Sequence, residues 1–150
     1  MTILRTIGYE GTTLPAFLAA LKEAGVTTLI DVRDAPISRK RGFSRNGLAA
    51  ALQSAGIAYV HLRWLGNPKP GRDAGRAGDI AAYHRHFFAR LATPEAQAAL
   101  GEAARLATAG GACLMCFERD PAHCHRTLVA QALGERMALA TEDLVPDAAR

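Results

Sequence analysis

The most constraining feature of this sequence is an uninterrupted apolar run, Ala112 to Phe117, close to the end of the chain. A run of this kind, without alternating polar residues, is typical of a β-strand that is covered on both faces. Such strands belong to parallel sheets that have helices packed against either side. The run therefore predicts an α/β protein.

Strand-like and helix-like segments alternate along the rest of the chain. The other strand-like segments are residues 2–8, 27–32 and 57–62, with residues 137–140 as a candidate fifth strand. The helix-like segments carry apolar residues at helical spacing, and they lie at residues 14–24, 46–55, 80–91, 94–108 and about 121–136. This alternation predicts a single three-layer α/β/α domain over residues 1–150, with a mostly parallel sheet of about five strands.

Two basic segments separate these elements. Residues 33–45 show little periodicity, and residues 63–78 contain four glycines and two prolines. We expect the second segment to be a long loop without regular structure, and loops of that length are usually functional or mobile.

The overall composition is that of a folded globular protein. The chain has 150 residues, of which 49% are hydrophobic, and it contains no apolar run long enough to cross a membrane. The three cysteines form an odd, clustered set, unlike the framework of a disulfide-rich secreted domain. We therefore expect a cytoplasmic protein that does not associate with membranes.

The charge is unevenly distributed. Residues 31–90 hold eleven basic and four acidic residues, a local charge of +7, whereas the whole chain carries only +4. A positive region of this kind favours an anionic partner such as a phosphate, a nucleotide or a nucleic acid.

Polar residues follow each of the first four predicted strands. Because ligands of a parallel sheet bind beyond the carboxyl ends of its strands, these residues predict one shared site. The candidate catalytic residues are Asp31, His61, Glu118 and Cys124. The candidate substrate-binding residues are Tyr9, Arg33, Ser38, Arg39, Ser44, His125 and Arg126.

The same segments resemble a known family. They are the blocks Thr6–Gly11, Leu29–Arg33 with Pro36–Arg39 and Gly42–Ser44, Tyr59–His61 with Leu65–Gly66, and Cys116–Glu118 through Pro121 to Cys124–Arg126. In this order they resemble the family of domains of unknown function numbered 488, over roughly residues 6–135. The resemblance implies an α/β domain and brings no established reaction.

Cys124 offers the sharpest chemistry. It lies in the predicted first turn of the last helix, where Asp120 is the expected cap and Pro121 the first residue. The helix dipole and the basic neighbours His125 and Arg126 favour the thiolate, so Cys124 is a candidate nucleophile. The alternative is a small packed residue beside an anion-binding helix end.

A metal site is a second alternative. Cys116, Cys124 and His125 are ligand types that suit zinc. However, Cys116 leaves a strand, and Cys124 and His125 are expected to point in different directions from one helical turn. The sequence therefore assigns no metal and no cofactor, and a thiol- or metal-dependent protein using these three residues remains an alternative.

Carboxylate chemistry is the third possibility considered. Asp31 and Glu118 could meet at neighbouring strand ends, and a carboxylic acid beside fixed cations suits the hydrolysis of phosphoester or N-glycosidic bonds. Structural ion pairs such as Asp31–Arg33 and Glu118–Arg126 are the competing interpretation.

The first hypothesis is an enzyme that acts on a nucleotide or nucleic acid. In it Arg33, Arg39 and Arg126 hold phosphate, Glu118 or Asp31 transfers a proton, and His61 orients the substrate. The rival is a non-catalytic module that binds nucleotide or nucleic acid in the same basic groove.

Overall fold

The computed structural model describes residues 1–149 and contains one five-stranded sheet. Its strands are β1 (Thr2–Gly8), β2 (Thr28–Asp31), β3 (Ala58–His61), β4 (Ala112–Cys116) and β5 (Leu139–Leu144). Their spatial order is β3-β2-β4-β1-β5, and every pairing between them is parallel. The predicted α/β sheet is therefore confirmed, and the apolar run forms its central strand, with every residue of β4 buried.

Helices cover both faces of the sheet. They are α1 (Leu14–Glu23), α2 (Arg45–Ser54), α3 (Lys69–Arg76), α4 (Ile80–Leu91), α5 (Pro94–Ala109) and α6 (His125–Gly134). Successive residues of a strand face opposite sides, so Leu29 packs in the core with α1 and α2, while Ile30 packs in the core with α4, α5 and α6. Within residues 1–149, no helix has both the length and the apolar character that a membrane crossing requires.

The fifth strand is longer than predicted. Residues 137–140 were its expected range, whereas β5 begins at Leu139 and continues through the polar residues Thr141, Glu142 and Asp143. The strand pairs only with β1 at the edge of the sheet, where its middle residues are exposed. An edge strand can carry polar residues that the apolar pattern does not reveal.

The prediction of an unstructured loop over residues 63–78 is wrong. A single 3₁₀ turn covers Arg63–Leu65, and residues 69–76 form α3, which packs against α4. The glycines that suggested a loop permit close packing instead, because a Cβ at Gly71 would collide with the Asn67 side chain and one at Gly75 would crowd the Tyr83 ring. These glycines lower helix propensity while making the helix contact possible.

The start of the last helix also differs from the prediction. Asp120 is a cap, since its Oδ1 accepts the Ala122 N–H at 2.9 Å, but Pro121 begins only a 3₁₀ turn that ends at His123. Cys124 then adopts an extended conformation, and α6 begins at His125. Cys124 is therefore the residue before the helix and does not lie in its first turn.

Candidate functional site

A cavity of about 820 Å³ opens at the carboxyl edge of the sheet. Its floor is formed by residues that follow β1 and β4 and by the start of α6, and its outer wall by α3 and α4. Tyr9, Cys116, Glu118, Cys124 and His125 are among the floor residues. This volume falls within the usual range of small-molecule sites, and we refer to it as the carboxyl-edge cavity.

Two cysteines and a histidine converge on the cavity floor. One ligand atom each of Cys116, Cys124 and His125 lies within 4.8 Å of the other two, and all three residues are buried. The sequence-based expectation that Cys124 and His125 point apart is wrong, because Cys124 is extended and only His125 is helical. We call these three residues the Cys–His cluster.

The imidazole of His125 has a defined tautomer. Its Nε2 lies 2.7 Å from the backbone oxygen of Val32, which can only accept, so Nε2 carries the hydrogen. Nδ1 is then unprotonated, and it lies 4.0 Å from the sulfur of Cys124. Burial lowers the pKa of His125 to about 4, so the ring is neutral at pH 7.

Arg126 lies beneath the Cys–His cluster as a fully buried cation. Its Nη1 donates to the backbone oxygen of Glu118 at 2.5 Å and lies 3.4 Å from the sulfur of Cys116. No carboxylate within residues 1–149 forms an ion pair with Arg126, and burial lowers its pKa. Arg126 is not part of the cavity lining, so the structure places it under the site and not against a ligand.

Glu118 is the carboxyl group on the cavity floor. Its Oε2 lies 3.6 Å from the sulfur of Cys116, and the side chain is partly buried. Burial raises the pKa of Glu118. A carboxyl group that keeps its proton closer to neutral pH is better suited to proton transfer than a fully solvated one.

Asp31 and Arg33 form a buried ion pair beside the cavity. Arg33 lines the cavity, whereas Asp31 is completely buried behind it and accepts a further hydrogen bond from the Tyr59 hydroxyl at 2.6 Å. Burial opposes the charge on Arg33, but hydrogen bonds with Asp31 outweigh it and raise the pKa of Arg33. Strand β2, which ends at Asp31, is the direct neighbour of β4, as a shared edge requires. Asp31 therefore holds the Arg33 side chain in place from the protein interior, on the side away from the cavity.

The remaining predicted site residues lie outside the cavity lining. Ser38 and Ser44 close the loop of residues 36–45, because the Ser44 hydroxyl accepts from the Ser38 N–H at 3.0 Å and donates to the Ser38 oxygen at 3.1 Å. Arg39 is exposed on that loop. His61 Nε2 contacts the backbone oxygen of Arg33 at 2.7 Å, beneath the ion pair.

A family model described as a domain of unknown function, DUF488, matches residues 13–133. The chain belongs to this family. The matched region includes β2, β3, β4 and the whole Cys–His cluster, and it begins after the Thr6–Gly11 block. No curated protein and no solved structure matches the chain significantly.

The wall of the DUF488 cavity includes residues that sequence reasoning missed. Asn67, Arg72 and Tyr83 line it from the segment before α3, from α3 and from α4. Asn67 is buried and donates to the Tyr83 backbone oxygen at 3.2 Å, while its Oδ1 has no hydrogen-bond partner among the described residues. The available signal was Lys69–Asp73, an oppositely charged pair at i,i+4 that is typical of a helix.

Proposed function

We propose that this DUF488 protein is an enzyme that acts on a nucleic acid, with a base in the carboxyl-edge cavity and the sugar–phosphate backbone on the loop of residues 36–45. The base and its N-glycosidic bond are then the reacting groups. Three features support the proposal: the distribution of unpaired charge, the apolar mouth of the cavity, and the groups on its floor.

The distribution of cations is the observation that carries this proposal. The arginines that line the cavity are already paired with carboxylates, Arg33 with Asp31, Arg72 with Asp34, and Arg76 with Asp73. A phosphate inside the cavity would therefore find little uncompensated positive charge. A base, which carries no formal charge, suits this interior better.

Uncompensated charge lies instead on the loop beside the cavity mouth. Arg39, Lys40 and Arg41 of this loop, and Arg45 at the start of α2, form no ion pair with any residue in positions 1–149. The same loop contributes Ile37 to the cavity wall. Lys40 and Arg41 line a second, separate pocket next to the start of α1, so the cations of this loop lead away from the carboxyl-edge cavity. Such a row of cations can follow several phosphates of a polynucleotide, whereas a single free nucleotide would use only part of them.

The mouth of the cavity is apolar. Ile37 is 79% exposed, Ile80 57% and Phe117 43%, and all three line the cavity. Phe117 packs edge-to-face on Tyr9, with their ring centroids 5.3 Å apart. Exposed apolar and aromatic side chains of this kind provide stacking surfaces for unpaired bases.

Glu118 is the proposed proton-transfer residue. It lies on the cavity floor beside the Cys–His cluster, where a base would end. Hydrolysis at the base or at its N-glycosidic bond fits this arrangement better than phosphoester hydrolysis, because the phosphates would remain outside on the loop.

Binding is tested with fluorescein-labelled single-stranded DNA and RNA of mixed sequence, by anisotropy at several salt concentrations. The variant Arg39→Gln/Arg41→Gln is compared with Lys22→Gln/Arg85→Gln, which removes two exposed, unpaired cations elsewhere. The loop variant is expected to lower the salt slope by about 1.4, from two lost phosphate contacts, while the control keeps the wild-type slope. Equal losses in both variants, or no binding of either polymer, would contradict the proposal.

Catalysis is tested on the same oligonucleotides by mass spectrometry. We expect the wild type to release or modify a base and Glu118→Gln to bind with unchanged affinity but to lose turnover. Tight binding by the wild type without any change in oligonucleotide mass would instead support the non-catalytic binding module.

A further inference from the structure

The Cys–His cluster combines features that a proton-transfer site does not require. It brings two sulfurs and one imidazole nitrogen together in a buried position that opens into a cavity. We propose that Cys116 Sγ, Cys124 Sγ and His125 Nδ1 bind a zinc ion, with its fourth coordination position facing the carboxyl-edge cavity.

The ligand set favours zinc among the common divalent ions. Thiolates and imidazole are preferred by zinc, whereas magnesium and calcium prefer oxygen ligands. Three protein ligands with one open position are the arrangement of catalytic zinc sites, while structural sites are closed by four. Glu118 is not one of the three ligands, but it lies beside Cys116 on the cavity side. A zinc-bound water at the open position would therefore meet the proposed proton-transfer residue.

The orientation of His125 matches that of a zinc ligand. A ligating histidine usually donates its other ring N–H to a carbonyl or carboxylate, which fixes the tautomer and directs the free nitrogen at the metal. Here Nε2 donates to Val32 O at 2.7 Å, and Nδ1 is the nitrogen that faces Cys124. The hydrogen bond to Val32, the residue after β2, therefore prepares Nδ1 for coordination before any metal binds.

The buried charge of Arg126 needs an anion that the carboxylates do not supply. A guanidinium without a counter-charge is costly in the protein interior. Its N–H lies 3.4 Å from Cys116 Sγ, so a metal-bound thiolate at Cys116 would give Arg126 a negative partner. Zinc with two thiolates and a neutral imidazole has no net charge as a whole, so what the site offers Arg126 is a charged hydrogen-bond acceptor at Cys116 Sγ and not a full counter-charge. Binding releases the two thiol protons to solvent without oxidation.

A disulfide is the competing use of the same two cysteines, and the structure places their sulfurs within bonding distance, with Cys113 as the free cysteine of the described residues. Their α-carbons are 7.1 Å apart, whereas disulfides usually hold them about 4.4–6.8 Å apart. Two zinc-bound sulfurs are about 3.8 Å apart for tetrahedral bonds of 2.3 Å, which suits the wider backbone spacing. The backbone geometry thus favours a shared metal over a direct bond.

The decisive experiment measures metal binding by the full chain after purification in a phosphine reductant. We expect about one zinc per chain by elemental mass spectrometry, and cobalt substitution should give a thiolate-to-cobalt charge-transfer band with the visible absorption of a tetrahedral site. Cys116→Ser, Cys124→Ser and His125→Asn should each lose zinc at least about tenfold more readily to a chelator. Cys113→Ala is the matched control, because Cys113 is buried on the opposite face of β4.

A second measurement uses only the wild type and so does not depend on the variants folding. Alkylation followed by peptide mass spectrometry should find Cys116 and Cys124 protected in the zinc-loaded protein and modified after zinc is removed. A reduced protein that binds neither zinc nor cobalt, or one that returns to a Cys116–Cys124 disulfide in the presence of zinc, would overturn the proposal. Oligonucleotide binding is measured in a separate experiment. A protein without a zinc site would therefore not decide the proposed function, which depends on the anisotropy and mass-spectrometry tests described above.

Discussion

The guanidinium of Arg33 forms two parallel hydrogen bonds with the carboxylate of Asp31, from Nε to Oδ1 at 2.9 Å and from Nη2 to Oδ2 at 2.8 Å. Its other nitrogen, Nη1, donates to the Tyr9 hydroxyl at 3.2 Å and to the Phe43 backbone oxygen at 2.7 Å. One side chain thus connects β2, the segment after β1 and the loop that carries the unpaired cations. The ion pair holds the cavity side of the sheet together.

Arg33→Met should therefore be strongly destabilising. It leaves the Asp31 carboxylate buried without its cation, and we expect a loss of about 3–5 kcal/mol in the free energy of unfolding, measured with urea. Adding Asp31→Asn to Arg33→Met should restore part of this loss, because the stranded charge is then removed. If Arg33→Met cost less than about 1 kcal/mol, as an exposed ion pair would, the structural role of the pair would be wrong.

Asp34 should make stability depend on pH. Burial opposes its charge, but hydrogen bonds from Arg90 and Arg72 outweigh burial and lower the pKa of Asp34. Since the folded-state pKa lies below the unfolded value, the stabilisation is fully present above the unfolded pKa of about 3.9 and is lost as the pH falls through the folded pKa. Asp34→Asn should thus lower the free energy of unfolding by about 1–2 kcal/mol at pH 7. The difference in this free energy between the variant and the wild type should become smaller below about pH 4.

The control for Asp34 is Asp73→Asn. Asp73 pairs with Lys69 and Arg76 entirely at the surface of α3, so its loss should change the free energy of unfolding less. Urea unfolding of both variants between pH 3.5 and 7 makes the comparison. If the free energies of unfolding of the wild type and Asp34→Asn differed by the same amount over this whole range, the lowered pKa of Asp34 would not be the cause of the pH dependence.

Gly8 should be essential to the position of Glu118. A Cβ at Gly8 would collide with the backbone carbonyl of Glu118, a contact that no side-chain movement can relieve. Gly8→Ala is expected to lower the free energy of unfolding by about 1–3 kcal/mol and to shift the segment that carries Glu118. Gly134→Ala is the matched control, because a Cβ there meets nothing within 4 Å and should stabilise α6 by about 0.5–1 kcal/mol.

Zinc should stabilise the folded chain measurably. At a free zinc concentration of about 100 times Kd, the linkage relation gives about 2.7 kcal/mol, which raises Tm by about 5–10 °C for a domain of this size. Differential scanning fluorimetry with zinc or a chelator checks this, with Cys113→Ala expected to behave as the wild type and Cys124→Ser to show at most about half of the wild-type shift. An equal zinc response in Cys124→Ser would place the binding elsewhere.

The sheet and its shared edge could be predicted because they depend on local patterns. The apolar run of β4 requires cover on both faces, and Asp79, a residue type that favours helix N-caps, caps α4 with its Oδ1 accepting the Ala82 N–H at 3.1 Å. Since parallel strands end at one edge, Asp31 and Glu118 were predicted at the ends of adjacent or near-adjacent strands, and β2, which ends at Asp31, is the neighbour of β4, which Glu118 follows.

The Cys–His cluster and α3 could not be predicted because they depend on contacts between distant residues. Whether the chain after Pro121 continues as a helix is decided by a hydrogen bond from Thr127 Oγ1 to Pro121 O at 2.6 Å, together with the Arg126 contact to Glu118 O. Those bonds favour the 3₁₀ turn that turns Cys124 toward Cys116. Likewise, Gly71 lowers the helix propensity of α3, and only the Asn67 side chain, which fills the space that a Cβ would need, explains why a glycine stands there.

We propose that a base enters the carboxyl-edge cavity while its backbone lies on the loop of residues 36–45. The most direct measurement is ultraviolet crosslinking of a 4-thiouridine oligonucleotide, followed by peptide mass spectrometry. We expect crosslinks to Tyr9, Tyr83 or Phe117, which line the cavity. These crosslinks should be lost in Arg39→Gln/Arg41→Gln but not in Lys22→Gln/Arg85→Gln. Crosslinks confined to residues outside the cavity, such as those of α5, would contradict it.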